Sequence, residues 1–331
     1  MVSKQYWVQI VLLSCAALLL AFACAVLVGS RPLDLQRAIH GLSPDHEILI
    51  SLRLPRALLA LWTGGALTLS GVLFQALLRE SLATPDTLGV SGGASLGAVL
   101  AICLGWDSVG GVSAVWGAAF LGSMVVLSLV LLFASNSGSM SSFSLLLAGI
   151  TVNSICAAVI VSVSSLANFM QSFAVTRWLI GGLDAPAYST LLGLTLVLTP
   201  VSILVFSLGR EWNVLAMGER WAVTRGLSPR RLLVIGCITG SVLTGTITAL
   251  TGPIGFVGLI VPHALRLWLG ADHRILIPCS FLLGGAFIAI CDVFSRTILA
   301  PIEIPVGVIT ALIGGPCFIW MLHNRKRKRA L

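Results

Sequence analysis

Charge is scarce in this chain. Only 10% of its 331 residues are Asp, Glu, Lys or Arg, against roughly 25% in a soluble domain. No polar stretch is long enough to hold a soluble domain. Lysine occurs only as Lys4, Lys326 and Lys328. A P-loop needs a lysine after a glycine-rich turn to reach nucleotide phosphates. None of the three follows a glycine, so the chain carries no Walker A motif. Its eight cysteines (15, 24, 103, 156, 237, 279, 291 and 317) contain no CxxC pair. They read as small buried hydrophobes rather than as a metal or disulfide framework. Histidines 40, 46, 263, 273 and 323 show no HExxH or other ligand spacing, so no metal site is expected. Paired intramembrane aspartates are also missing. Ser91-Gly92 in a glycine-rich helix does not by itself supply a nucleophile, which weighs against an intramembrane enzyme.

What is abundant is apolar sequence. Hydrophobic residues make up 57% of the chain, and the mean hydropathy is +1.02. A membrane helix needs about 20 such residues. The runs predict ten spans, at 7–29, 57–78, 88–105, 112–134, 142–165, 190–208, 231–250, 255–270, 275–296 and 305–323. The fold class is therefore an all-α polytopic membrane protein, one transmembrane domain over residues 1–331. The first run, Trp7–Val28, exceeds the usual signal-peptide core of about 7–15 residues and reads as a spanning helix.

The net charge of +8 follows topology rather than nucleic acid. Ser3–Lys4 begin the chain and Arg325–Arg329 end it. Arg210, Arg220, Arg225, Arg230 and Arg231 crowd one loop. Basic loops mark the cytoplasmic side, which puts both termini there. Loops 30–56, 106–111, 166–189, 251–254 and 297–304 then face outward. Loops 79–87, 135–141, 209–230 and 271–274 face inward.

The most telling stretch is Thr251–Arg274. It is apolar enough for a bilayer, yet Gly252, Pro253, Gly255, Gly258 and Pro262 interrupt it, and His263 and Arg266 add polarity. Broken helices are tolerated in lipid only where protein or a water-filled cavity satisfies the freed backbone, so such a segment marks a transport pathway. Gly89, Gly93 and Gly97 recur at i, i+4 and i+8, a smooth face for close helix approach. Asp292 lies inside the ninth span with Arg296 one turn later, either a functional charge or a self-neutralising pair that staples the helix. An ion-coupled transporter or channel would need further intramembrane carboxylates, and the spans offer almost none.

Four stretches occur together. One is Arg53-Leu-Pro-Arg56 with Gly64–Gly65, Gly71 and Gln75. The second is Arg79-Glu-Ser-Leu-Ala-Thr-Pro-Asp-Thr-Leu-Gly-Val-Ser-Gly-Gly-Ala94. The third is Met217-Gly-Glu-Arg-Trp-Ala-Val-Thr-Arg-Gly226. The fourth runs from Gly252 through His263 to Arg274 and on to Glu303-Ile-Pro-Val-Gly307, Thr310 and Gly314-Gly-Pro316. In order and spacing this set resembles the permease family of type II ABC importers for ferric siderophores, haem and cobalamin. The likeness covers nearly the whole chain.

The resemblance implies a ten-helix subunit in a bacterial inner membrane. It works as a homodimer with two cytoplasmic ABC ATPases, which bind the ATP and magnesium, and with a periplasmic binding protein that delivers cargo. It places the ATPase-coupling helix in loop 209–230, at Met217, Gly218, Glu219, Ala222, Arg225 and Gly226. On residues alone this loop could instead lie on lipid headgroups, held by its arginines, Trp212 and Trp221. Gly218, Ala222 and Gly226 at i, i+4 and i+8 predict a smooth helix face for the partner. Arg225 stands where the family usually has Leu, and Glu80-Ser81 where it often has Asn-Pro. Arg53, Arg56 and Arg296 are implied sockets for carboxylates of the binding protein; snorkelling arginines are the plainer reading. The translocation path is assigned to Gly89, Gly93, Asn153, Gly252, Pro253, Gly255, Gly258, Pro262 and His263, with Asn153 the main polar marker of the fifth span. A ferric siderophore is the first cargo expected on family breadth, then haem, then cobalamin.

Overall fold

The computed structural model describes residues 4–106, 108–109, 112–136 and 141–329. Among them the architecture is helical. In chain order the helices are α1 (Lys4–Leu27), α2 (Leu35–Ile39), α3 (Asp45–Glu47), α4 (Leu54–Leu78), α5 (Val90–Cys103), α6 (Ala114–Asn136), α7 (Ser142–Ser165) and α8 (Phe169–Ile180). They continue as α9 (Tyr188–Ser207), α10 (Gly209–Met217), α11 (Glu219–Thr224), α12 (Pro229–Thr251), α13 (Val257–Leu269), α14 (His273–Thr297) and α15 (Val306–Arg329). Two two-residue strands, Ser108–Val109 and Val112–Ser113, pair antiparallel. Among the described residues, seven helices are long and apolar enough to cross a membrane, and three shorter apolar ones, Val90–Cys103, Val257–Leu269 and Val306–Met321, bring the set to the ten read from the sequence. Part of the connections expected at 106–111 and 135–141, and the last two residues, lie outside the described residues.

Local chemistry sets the boundaries. Ser141 caps α7 through Ser144 N, Ser228 caps α12 through Arg231 N, and Asp272 caps α14 through Arg274 N. Each side chain satisfies a backbone donor that helix geometry leaves free. Pro229 sits in the first turn of α12, where the missing N–H costs nothing.

α4 is the axis of the bundle. Most of its side chains are buried, between α14, α12 and α13. Small residues permit that density. A side chain at Gly64 would run into the Gly284 carbonyl of α14, and one at Gly71 into the Gly258 carbonyl of α13. Gly236 and Gly240 of α12 receive Leu77 and Phe74. Where lipid tails are as apolar as leucine, such close packing is what holds helices together. Below, the basal end of the bundle is where α1 begins, and the distal end is the opposite one.

Two features depart from the sequence reading. The segment 166–189 is not a plain loop, because it holds α8, opened by a capping box in which Gln171 N donates to Asn168 Oδ1 (2.9 Å) and Asn168 N to Gln171 Oε1 (3.0 Å). And α5 and α13, with 14 and 13 residues, reach only about 20 Å at 1.5 Å per residue, short of a hydrocarbon core of about 30 Å. The chain preceding each therefore dips into the bundle. Thr84, Pro85 and Asp86 meet Ile254, Phe256 and Gly258 beside Leu67, halfway along α4.

Candidate functional site

The site is built at three depths. At the distal end, Asp292 of α14 is fully buried between two arginines. Arg56 Nε donates to its Oδ1 at 2.9 Å, and Arg296 Nη2 lies 3.0 Å from its Oδ2. Arg56 also donates to Glu303 at 2.7 Å, joining α4, α14 and the chain leading into α15. Arg296 donates on to Ala25 O of α1 at 2.9 Å. The pair read one turn apart is thus the centre of a four-charge staple.

This geometry corrects two expected sockets. Arg53 is buried, and its guanidinium donates to Val26 O (3.2 Å), Leu27 O (2.7 Å) and Arg31 O (2.5 Å). It thereby caps carbonyls that the end of α1 leaves without helical donors. Arg296 is equally buried, on Asp292 and Ala25. Neither offers its guanidinium to a partner. Of the three, Arg56 keeps slight exposure, with both its carboxylates already in place. The exposed distal arginines are Arg31, Arg37 and Arg177, which the sequence reading did not single out.

Next to this cluster α8 is stitched to the broken segment. Gly182 N donates to Thr251 O (2.8 Å) and Gly307 N to Gly181 O (3.2 Å). Gly181 at φ +73 and Gly252 at φ +68 need the left-handed region that glycine enters freely. A side chain on either would strike the other segment's backbone, at Pro253 O and Trp178 O respectively. A cavity of about 600 Å³ opens there, with Trp116, Phe173, Arg177, Trp178 and Asp184 in its wall. This gives Trp178–Gly182 a physical role: it seals the distal ends of α12 and α15 against each other.

At mid-depth the expected path residues take separate positions. Gly252 ends α12, Pro253 and Gly255 lie in the non-helical turn, and Phe256 takes φ +69 as α13 begins. Pro262 has no N–H, so the Gly258 carbonyl one turn earlier has no helical donor. Gln75 Nε2 of α4 supplies one at 3.3 Å. His263 is buried and packs edge-to-face on Phe318, with centroids 6.5 Å apart. Gly93 approaches Gly122 and Gly97 approaches Ala118 on α6, as the smooth-face reading requires. Gly89 does not belong to that face. It caps α5 at φ +74, near Gly149 and Asn153 of α7. Asn153 contacts Gly92, where its Oδ1 occupies the space a side chain would need. Gly89-Val-Ser-Gly-Gly93 spells the G-x-S-x-G pattern of hydrolases, but a 3₁₀ turn, Pro85–Leu88, precedes it instead of the strand that a nucleophile elbow needs.

Sequence reasoning missed Asp86. It lines a small polar cavity of about 20 Å³ with Thr84, Ser91 and Thr248, where the two broken segments meet. The alternation of apolar runs places residue 86 in a basal loop, and only the shortness of the following span signals its depth.

At the basal end loop 209–230 folds into two short helices with Gly218 between them at φ +132. The expected smooth face is overturned. Gly218 lies in extended geometry outside both helices, Gly226 follows α11 at φ +74, and Ala222 is buried against its own chain, with its carbonyl accepting from Leu227 N at 2.9 Å. Of the three small residues only Ala222 turns inward, where α11 packs beside α12, while Gly226 stays exposed. The exposed side carries Met217, Arg220, Trp221, Val223 and Arg225. Glu219 turns to Arg79, 2.9 Å away. In α10, Trp212 is fully buried with Nε1 donating to Val205 O (3.1 Å). Asn213 Nδ2 donates to Asp272 Oδ1 (2.8 Å) and its Oδ1 accepts from His273 N (2.8 Å).

A description of known sequences, the FecCD transport family, matches residues 17–324. The chain belongs to the FecCD transport family. Within the set of similar proteins, the hemin transport system permease HmuU of Yersinia pestis is 36% identical over 287 residues, 86% of this chain and 85% of its own length. The vitamin B12 import system permease BtuC of Citrobacter koseri is 38% identical over 282 residues, 83% of each chain. A solved structure described as an inward-facing metal-chelate type ABC transporter superposes with a TM-score of 0.84 at 28% identity, over 96% of this chain and 99% of that one. The ten-helix arrangement is that of type II ABC importer permeases, and this FecCD chain is a multi-pass membrane permease.

Proposed function

We propose that this FecCD permease carries a metal chelate across the bacterial inner membrane. A ferric siderophore is the first candidate, and haem and cobalamin are the alternatives suggested by the names of its relatives. Two copies form the path. A periplasmic binding protein delivers the cargo at the distal end, where Arg31 and Arg37 are exposed and Arg56 keeps slight exposure. The basal end faces the cytoplasm with both termini. Asn153 and the broken segment from Gly252 to His263 border the path, and lipid covers the apolar flanks of α1 and α9. Two separate ATPase subunits bind ATP and magnesium, and this chain binds neither.

The observation that carries the ATP-driven reading is the exposed side of α11. Trp221 and Val223 are more than half exposed beside Met217, Arg220 and Arg225. A patch of large apolar residues among arginines, on a short helix beyond the spans, suits a protein partner. Glu219, Ala222 and the backbone turns at Gly218 and Gly226 shape that patch from behind. An ion-coupled carrier is disfavoured because Asp292, its obvious relay group, is already held by two arginines.

The test is a pull-down of tagged chain from native membranes, read by mass spectrometry, beside R220E/W221A. A Walker-containing ATPase that accompanies the wild type and is lost from the folded variant supports the reading. Wild type that comes down alone in mild detergent sinks it.

A further inference from the structure

The two halves of the basal segment are anchored to different helices. α10 is fixed through Trp212 to α9 and through Asn213 to Asp272 and His273 at the start of α14. The first residue of α11, Glu219, reaches elsewhere. Its Oε1 accepts from Arg79 Nη2 at 2.9 Å and lies 3.5 Å from Ser142 Oγ. Arg79 Nη2 also donates to Ser142 Oγ at 3.3 Å, and Ser142 Oγ donates to Leu77 O at 2.7 Å. One carboxylate thus joins the head of α11 to the last turn of α4 and to the first residue of α7. Between the halves, Gly218 at φ +132 is a joint that a side chain would strain.

The helices on this joint differ in freedom. α4 is almost wholly enclosed by its neighbours, whereas few of the α7 side chains are buried within this chain. Displacement of α11 would then be taken up by α7, most of whose length lies outside this chain's own packing, rather than by the enclosed α4. Charge-assisted contacts with fixed partners suit such a link, since they hold direction as well as distance.

We propose that Glu219, Arg79 and Ser142 form a transmission joint that passes movement of α11 to α7, with Asn213 holding α10 still. Glu219 is then a positioning residue that faces its own chain, not part of the ATPase-facing patch. This rests on the ATP-driven homodimer reading above.

The experiment uses the full complex with its ATPase, reconstituted in nanodiscs. A nitroxide is placed at position 165, the distal end of α7, through an unnatural amino acid. Pulsed electron resonance then measures the distance between the two copies, without nucleotide and after trapping with ATP and vanadate. The wild type is expected to show a shift. E219Q and R79M are expected to keep the ATPase bound and hydrolysing while losing at least half of that shift, and R79E/E219R to regain it. The proposal is overturned by a full shift in E219Q, by loss of the ATPase from E219Q, by no shift in an intact wild-type complex, or by a folded charge-swapped variant that stays uncoupled. If the wild type binds no ATPase at all, the functional reading itself falls and the joint falls with it.

Discussion

At the scale of single residues, the distal staple shows how burial decides what a charge is worth. Asp292 is fully buried between Arg56 and Arg296, whereas Arg177 and Asp184 pair at 3.7 Å with both side chains exposed. Breaking a buried pair leaves charges that water cannot reach, at a cost of about 3–5 kcal/mol. An exposed pair contributes about 0–1 kcal/mol. D292N is expected to lose stability at the first scale and R177A at the second, both read by thermal unfolding in detergent. Equal midpoints for D292N and wild type would remove the staple from the stability account. Half of this cluster was legible in the sequence. The i, i+4 spacing gives Asp292 and Arg296 directly. Arg56 and Glu303 reach it across 236 residues of chain and from a loop, and no local pattern carries that. Arg53 and Arg296 failed as sockets for the same reason: position in or beside a predicted loop gives a side of the membrane but not burial.

At the scale of elements, the seam between α4 and α13 makes a sharper case. Pro262 leaves the Gly258 carbonyl without its helical donor, and Gln75 replaces it. Q75L is expected to cost about 1–3 kcal/mol, the usual penalty of an unsatisfied buried group. P262A restores an N–H one turn away, so Q75L should cost distinctly less in the P262A background. A thermodynamic cycle on the four proteins checks this, and strictly additive effects would sink it. The glycine and proline punctuation was legible, and it located the broken span to within a few residues. The stripe at Gly218, Ala222 and Gly226 was misread because helical spacing says nothing when the first glycine breaks the helix. α8 escaped notice because its 12 residues are too few to register as a span, although Asn168-x-x-Gln171 is a start signal of the capping-box kind. A corollary concerns α11. A222E places a carboxylate in a packed seam and is expected to unfold the segment, while W221A changes an exposed side chain and leaves thermal stability within about 0.5 kcal/mol of wild type. A stable, monodisperse A222E protein would contradict the inward placement of Ala222.

At the scale of the whole molecule, the ten spans were legible because each needs only length and apolarity, and the solvent enforces both. Depth was not, since a hydropathy run measures composition and not where a short helix starts. Sidedness is the remaining whole-molecule property, and it follows from charge. The basal connections hold Arg210, Arg220, Arg225, Arg230 and Arg231, whereas the distal segment between α1 and α4 balances Arg31, Arg37 and Arg53 with Asp34, Asp45 and Glu47. Arginine excess retains a loop in the cytoplasm during insertion, while acidic residues contribute little. With the native cysteines replaced, R37C in whole spheroplasts is therefore expected to react with a membrane-impermeant maleimide and R225C to react only after lysis. Both positions are exposed, so access and not burial decides the result. The reverse pattern would place α11 outside the cell, where no ATP-driven partner could meet it, and would turn the transport direction over with it.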